Sequence, residues 1–327
     1  MEHLTTRLRR AGIATVALSA AGLILAGCAP AGAEAAPDNG SADAESNAAV
    51  EIVGVEIGVD DDARALLPAD IRDAGAVKVA TDAPYAPFEF FVDEGSEELT
   101  GVDVLLGQAI GAKLGIDFDF AQQGFDGIIP ALQAGNFDVT ISAMTSSVER
   151  MDVLTFVDYS ASGTGILTSA GNPADIETYL DLCGLDVAVQ GATSQVDLVN
   201  DVWQAECEAE GRDPIVLSEF PSDADAQLAI TAGKADASLL TKPSAGFVAK
   251  TTNDGETFEV IEDPTAPNGY DATLNGIGVL KSDEELAAAI QAALQALMDD
   301  GTYGKILAEF GVEGIGIDEA TINGAAE

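Results

Sequence analysis

Within the nine residues of "SAMTSSVER", Ser142–Arg150, four small hydroxyl side chains precede an arginine in a chain that holds few of them. A guanidinium presents parallel N–H donors in a fixed fork that fits a carboxylate, so Arg150 is a candidate for gripping an anionic group. The alternative is a surface ion pair, for which an acidic chain offers many partners. Upstream, "TDAPYAPFEF" places Asp82, Tyr85, Phe88 and Glu89 just past an apolar run, where open α/β sheets present ligand residues. Phe125 opens "FDGIIPALQAG". Two flat aromatic rings can hold an aliphatic stem or a cation over their faces; ordinary core packing is their other role, and capping a turn is that of Asp82. "QGATSQVDL" sets Thr193 and Ser194 between a predicted strand and helix, where free amides attract anions, or where Thr193 simply caps the helix.

Those positions must be read against what the chain lacks. The first 27 residues form an expected export leader, since "TRLRR" precedes "AGIATVALSAAGLILAGC", a run too short and too rich in Ala and Gly to span a bilayer. "LAGC" fits a bacterial lipobox in which Cys28 is acylated and becomes the first mature residue; an uncleaved anchor helix with an incidental cysteine is the alternative. The chain is therefore expected outside the cell, touching the membrane through lipid alone. Removing the leader takes the only histidine, His3, and with it Ser-His and Cys-His nucleophilic chemistry and the usual zinc site. No metal or cofactor is expected. The formal charge of −42 becomes −44, because three arginines and one glutamate leave with the leader. Such a surface repels nucleic acid and anionic headgroups. Its acids are spread along the whole chain, which suits a solvated surface in high salt better than a device for collecting cationic solutes. Cys183 and Cys207 are expected to pair in an oxidising exterior, a closure worth roughly 3 kcal/mol in the chain-entropy treatment, with two buried thiols as the alternative.

The elements that position these residues follow from periodicity. Residues 28–50, rich in Ala, Gly, Pro, Ser and acids, cannot bury enough surface to fold and read as a tether. From "VKVATD" onward, short apolar strands alternate with amphipathic helices, the signature of a parallel α/β sheet. "IDFDFA" and "FDVTISAM" read as strands around the helix "FDGIIPALQAG". A second series holds the strand "TGILTS", the helix "ADIETYLDL", the strand "LDVAVQ", a long helix from about Thr193 to Glu210, the strand "PIVLSEF", the helix "ADAQLAITAGK" and the strand "DASLL". "NGIGVL" returns as a strand before the helices "DEELAAAIQAALQALMDDG" and "YGKILAEFG". The expected division is 51–165 as the first part of lobe I, 166–273 as lobe II, and 274–327 as the return to lobe I, with a small-molecule cleft between lobes.

In this order the blocks "ATDAPYAPFEF", "LTGVDVLLGQAIGAKLG", "FDGIIPALQAGNFDV", "SSVERMDVLTFVDY", "LCGLDVAVQGATSQ", "AITAGKADA" and "GIGVLKSDEEL" resemble the polar amino-acid-binding proteins, family 3 of the extracellular solute-binding lipoproteins, actinobacterial in style. The likeness runs from about Leu66 to Gly324. It implies the two-lobed type II periplasmic-binding-protein fold and service to an ABC importer. It also implies that Arg150 takes an α-carboxylate and that Ser142, the backbone at Ala143 and the Thr145 hydroxyl line the ligand site. By the same likeness Tyr85 and Phe125 sandwich the ligand's side chain, while Thr193 and Ser194 reach its carboxylate. Two positions depart from the family. Ala192 stands where Gly is usual, and Thr241 stands where an Asp pairs with the ligand's ammonium, with Lys242 of the wrong sign beside it. Either the ligand lacks a standard α-ammonium, or Asp82 or Asp271 supplies the charge, or the register slips there.

The expected function is thus a monomeric, non-enzymatic receptor that closes on an amino acid or related carboxylate and docks on a permease. A dehydratase-like enzyme on the same fold, with Asp82 and Glu89 as its carboxyls, is one alternative. A ligand-sensing accessory protein with a separate membrane partner is another.

Overall fold

The computed structural model describes residues 49–93 and 95–326. The leader, Cys28 and nearly all of the tether lie outside the described residues; Val50, expected to end the tether, instead opens the first strand. Among the described residues no helix is long and apolar enough to cross a membrane.

The strands in chain order are β1 (Val50–Ile52), β2 (Val55–Ile57), β3 (Ala76–Thr81), β4 (Phe90–Phe91), β5 (Leu99–Thr100), β6 (Asp117–Gln122), β7 (Val139–Thr140), β8 (Leu154–Ser169), β9 (Asp186–Gln190), β10 (Val216–Phe220), β11 (Ala237–Thr241), β12 (Phe258–Val260) and β13 (Tyr270–Leu280). One sheet runs β10-β9-β11-β8-β13-β7-β3-β6, with β12 paired to β8. β9, β10 and β11 are parallel at one end, and β3, β6 and β7 are parallel at the other. Between them β8 and β13 run antiparallel to each other and join the two lobes of a type II periplasmic-binding-protein fold.

Each lobe has its own core. In lobe I the helix Val102–Leu114 packs on the helix Glu284–Asp299, whose Leu286, Ile290, Ala293, Leu294 and Leu297 recur at helical spacing and are buried. Val79, Ile141, Val157 and Ile277 complete that core from the sheet. Lobe II gathers Val187, Val189, Leu239, Trp203 and Ile215. Tyr179 stacks on Trp203 at 5.1 Å, and the Cys183–Cys207 disulfide ties the turn that carries Tyr179 to the helix Gln204–Ala209.

Three elements differ from the sequence reading. "TGILTS" is only the end of the 16-residue β8. Its first half was hidden by Asp158, a charged residue at a fully buried position, satisfied there by Ser146 Oγ, Thr321 Oγ1 and the Gly324 amide. "FDVTISAM" pairs only at Val139–Thr140 because the chain bends away to form loops. "ADIETYLDL" yields one 3₁₀ turn, Tyr179–Leu182, since the Thr178–Asp181 capping box starts a helix that the disulfide and Gly184 end at once. The long helix spans Ser194 to Ala209 with a wider π turn at Val199–Trp203. A helix at Lys242–Thr251 with Pro243 in its first turn was not foreseen.

At the crossing between lobes the Gly163 amide donates to the Asn268 carbonyl at 2.9 Å. A β-carbon on Gly163 would lie 2.5 Å from the Gly269 carbonyl carbon, so the two backbones meet there only because both residues lack one. Gly163→Ala should therefore cost about 1–3 kcal/mol in denaturant unfolding. Replacing both Cys183 and Cys207 by Ser should cost roughly 3 kcal/mol in the same measurement.

Candidate functional site

The loops after β3, β7, β9 and β11, at the carboxyl ends of these strands, meet around one narrow cavity. All ten expected site residues line it: Asp82, Tyr85, Phe125, Ser142, Ala143, Thr145, Arg150, Thr193, Ser194 and Thr241. Glu89, Gln190 and Gln195 line it as well, and the two glutamines were missed by the sequence reading. Their signal was present, because Gln190 ends β9 in the same loop as Thr193. Phe88 is fully buried beneath Tyr85, stacked at 6.1 Å, and belongs to the core. Asp271 is not on the cavity wall, and Lys242 turns away to the Ile261 carbonyl and Glu262, both at 2.8 Å.

The loop with Asp82 and Tyr85 is fixed from below. The first amides of the helix Val102–Leu114, at Val102 and Asp103, donate to the Pro87 and Phe88 carbonyls at 2.9 Å. A β-carbon on Gly101, at φ 126°, would lie 2.1 Å from the Phe88 carbonyl oxygen, so only glycine fits the entry to that helix.

Four side-chain contacts cross between lobes at the cavity. Gln190 Nε2 donates to Asp82 Oδ2 at 2.6 Å. The Tyr85 hydroxyl donates to Thr241 Oγ1 at 3.1 Å and accepts from the Thr241 amide at 2.9 Å. Thr145 and Ser194 hydroxyls meet at 3.1 Å. Arg150 Nη2 donates to the Ala192 carbonyl at 2.9 Å, while its Nη1 donates to the Thr145 carbonyl at 3.0 Å. The guanidinium also sits 5.4 Å from the centre of the Phe125 ring. That carbonyl of Ala192 belongs to a residue at φ 60°, a conformation costing a non-glycine residue roughly 1–2 kcal/mol.

Charge is distributed unevenly. Arg150 is half-buried, and among the described residues no carboxylate lies within 4.0 Å of it. Desolvation pulls its guanidinium below the ordinary value, opposed by the more distant charges of Asp197 and Glu149. Burial raises Asp82, partly offset by the hydrogen bond from Gln190. Glu89 is pushed well above the carboxylate range, first by burial and then by the charge of Asp103. Asp103 itself is raised by burial to about 6, held from going higher by the Ala143 amide and the Tyr159 hydroxyl, each at 2.7 Å. Ser142 donates to Glu89 at 2.7 Å and accepts from the Asp82 amide at 3.0 Å. The Ser142 hydroxyl and the Ala143 amide are thus engaged with buried carboxyls. Among the described residues no three His, Cys, Asp or Glu side chains gather at metal-binding distance.

A sequence model of the bacterial extracellular solute-binding proteins, family 3, matches residues 77–313. The arginine-binding protein ArgT of Corynebacterium glutamicum is 33% identical over 267 residues, 80% of this chain and 82% of that protein. The structure of an ancestral arginine-binding protein bound to arginine is 32% identical with a TM-score of 0.60, covering 72% of this chain and 98% of the other. The ancestral amino acid-binding protein AncCDT-1, a precursor of cyclohexadienyl dehydratase, is 31% identical with a TM-score of 0.61, covering 74% and 97%.

Asp223, fully enclosed near Asp82, is raised by burial from 3.8 to about 7 despite the hydrogen bond from Gln227 at 2.6 Å. The native state keeps this proton where the unfolded chain releases it. Its contribution is therefore full below about pH 4 and is lost as pH rises to about 7, at up to about 1.4 kcal/mol per pH unit. Asp223→Asn should flatten that part of the stability profile, read as the difference between variant and parent in denaturant melts from pH 4 to pH 8.

Proposed function

The chain belongs to family 3 of the bacterial extracellular solute-binding proteins, and on that premise we propose that it captures an amino acid or amino-acid-like carboxylate between its lobes for delivery to an ABC transporter permease. The observation that carries this reading is Arg150. A half-buried guanidinium in a chain of formal charge −42 lies on a cavity wall with only backbone carbonyls as partners. A desolvated charge without a counter-charge is costly, and an incoming carboxylate removes that cost through two parallel hydrogen bonds.

The remaining roles follow from position. Thr193 and Ser194 approach the carboxylate from lobe II. Tyr85 and Phe125 flank the ligand's side chain, and Asp82 takes a positive group at its end. The likeness to ArgT supports a basic side chain there and makes L-arginine the first probe. Closure then joins lobe I, formed by 51–165 and 274–327, to lobe II at 166–273. The receptor works as a monomer, exported and held on the outer face of the membrane by lipid on Cys28.

One observation favours turnover as a second reading: Glu89, whose affinity for a proton is raised by burial well above its ordinary value, lines the cavity of a chain similar to a dehydratase precursor. Binding is preferred because Glu89 is fully buried and already held by Ser142. Product exceeding one equivalent per protein, from a cyclohexadienyl substrate, would reverse that preference.

L-arginine at a hundredfold excess over its dissociation constant should add about 2.7 kcal/mol to the native state. Arg150→Ala should abolish the thermal shift and leave the ligand-free melting temperature within a few degrees of the parent. Full retention of the shift in that variant would remove Arg150 from the site.

A further inference from the structure

A second, more open cavity, of about 410 Å³, adjoins the first. Thr145, Ser194, Gln195 and Thr241 line both, so these four side chains are the partition between them. None is charged. The partition's closest contact is the 3.1 Å pair of Thr145 and Ser194 hydroxyls, which rotate about single bonds and need no charge separated to part. A ligand whose carboxylate sits on Arg150 lies against this partition.

The chemistry of the second chamber is distinct. Its buried lining is mostly neutral hydroxyl and amide: Ser146, Ser162, Thr164 and Asn275 join Gln195 and Thr241, with Leu198 as the buried apolar side chain among them. The three carboxylates on it, Asp197, Asp201 and Asp271, are all exposed and stand at its rim. Hydroxyls and amides both donate and accept, so they match a group that does the same at several points in succession. Ser146, Ser162, Asn275 and Thr241 already have hydrogen-bond partners within the protein, whereas among the described residues the Gln195 amide and the Thr164 hydroxyl have none and would stay unpaired beneath an apolar group. A cation would meet no buried counter-charge on the lining. The chamber also exceeds the needs of a few bridging waters, each with a share of roughly 30 Å³.

From this juxtaposition we infer that the receptor's ligand class is an amino acid bearing a polyhydroxylated substituent on its α-nitrogen, the amino-acid part in the first cavity and the polyol in the second. The inference rests on the carboxylate reading of Arg150. It accounts for Thr241: a substituted nitrogen at the partition directs its substituent past a neutral hydroxyl, where a carboxylate would bind the bare ammonium and close the passage.

The test is titration calorimetry of the full domain with L-arginine and with Nα-(1-deoxy-D-fructos-1-yl)-L-arginine, in the parent and in Ala272→Trp. Ala272 is exposed, lines only the second chamber and tolerates a large side chain without disturbing a core. The conjugate is expected to bind the parent at least tenfold more tightly than L-arginine, and the tryptophan to erase that advantage while changing L-arginine affinity less than twofold. Binding of L-arginine with weaker or no binding of the conjugate overturns the inference and leaves the carboxylate reading standing. An advantage that survives Ala272→Trp also overturns it. Failure of both compounds overturns it together with the reading beneath it.

Discussion

The arrangement of the cavity turns on one guanidinium held without a counter-charge. In a chain with four acids for every base, an arginine would normally meet a carboxylate, and Arg150 does not among the described residues. It is held instead by two carbonyls, one from each lobe: Thr145 beside it and Ala192 across the cleft. Carbonyls orient a guanidinium without neutralising it, so its charge stays available to a ligand. Ala192 can offer its carbonyl only because the backbone there turns left-handed. An alanine there holds that geometry at the expense of local strain, roughly 1–2 kcal/mol.

Under the cavity a second polar layer keeps the loops in place. Asp103 is buried in the first turn of its helix and accepts from the Ala143 amide and the Tyr159 hydroxyl. Glu89 accepts from Ser142, which in turn accepts from the Asp82 amide. Four stretches of chain, at Asp82–Glu89, Asp103, Ser142–Ala143 and Tyr159, are thereby tied through two carboxyls. Burial favours their neutral forms, so adding a proton to the network costs less than leaving paired negative charges in it. Ser142 and Ala143 therefore act on the site mainly by fixing its walls, whereas Thr145 and Arg150 face the cavity.

The places where sequence and structure agree are those where a loop sits at a strand end. Every expected cavity residue lies in such a loop or in the turn at Phe125, and a short apolar run followed by turn chemistry is readable without coordinates. What was not readable depended on distant partners. The first part of β8 was not read as strand, and its buried Asp158 is satisfied in part by residues more than 160 positions further on. The turn at Tyr179 had helical periodicity, yet the disulfide to Cys207 fixes its end from another element. Gln190 was passed over as the last residue of a strand, since only the assembled lobes bring it to Asp82. Tertiary contacts decide these cases, and local pattern is silent on them.

Thr241 shows how the two lobes depend on each other. Its amide and hydroxyl both engage the Tyr85 hydroxyl from the opposite lobe, and its hydroxyl also donates to Ser244. A carboxylate at this position would sit against the Tyr85 hydroxyl, which the charge of Asp223 already reaches, and would add a further negative group to that interior. A neutral hydroxyl meets the same hydrogen-bonding need without that charge, and it leaves Arg150 and Asp82 as the charged pair facing the cavity.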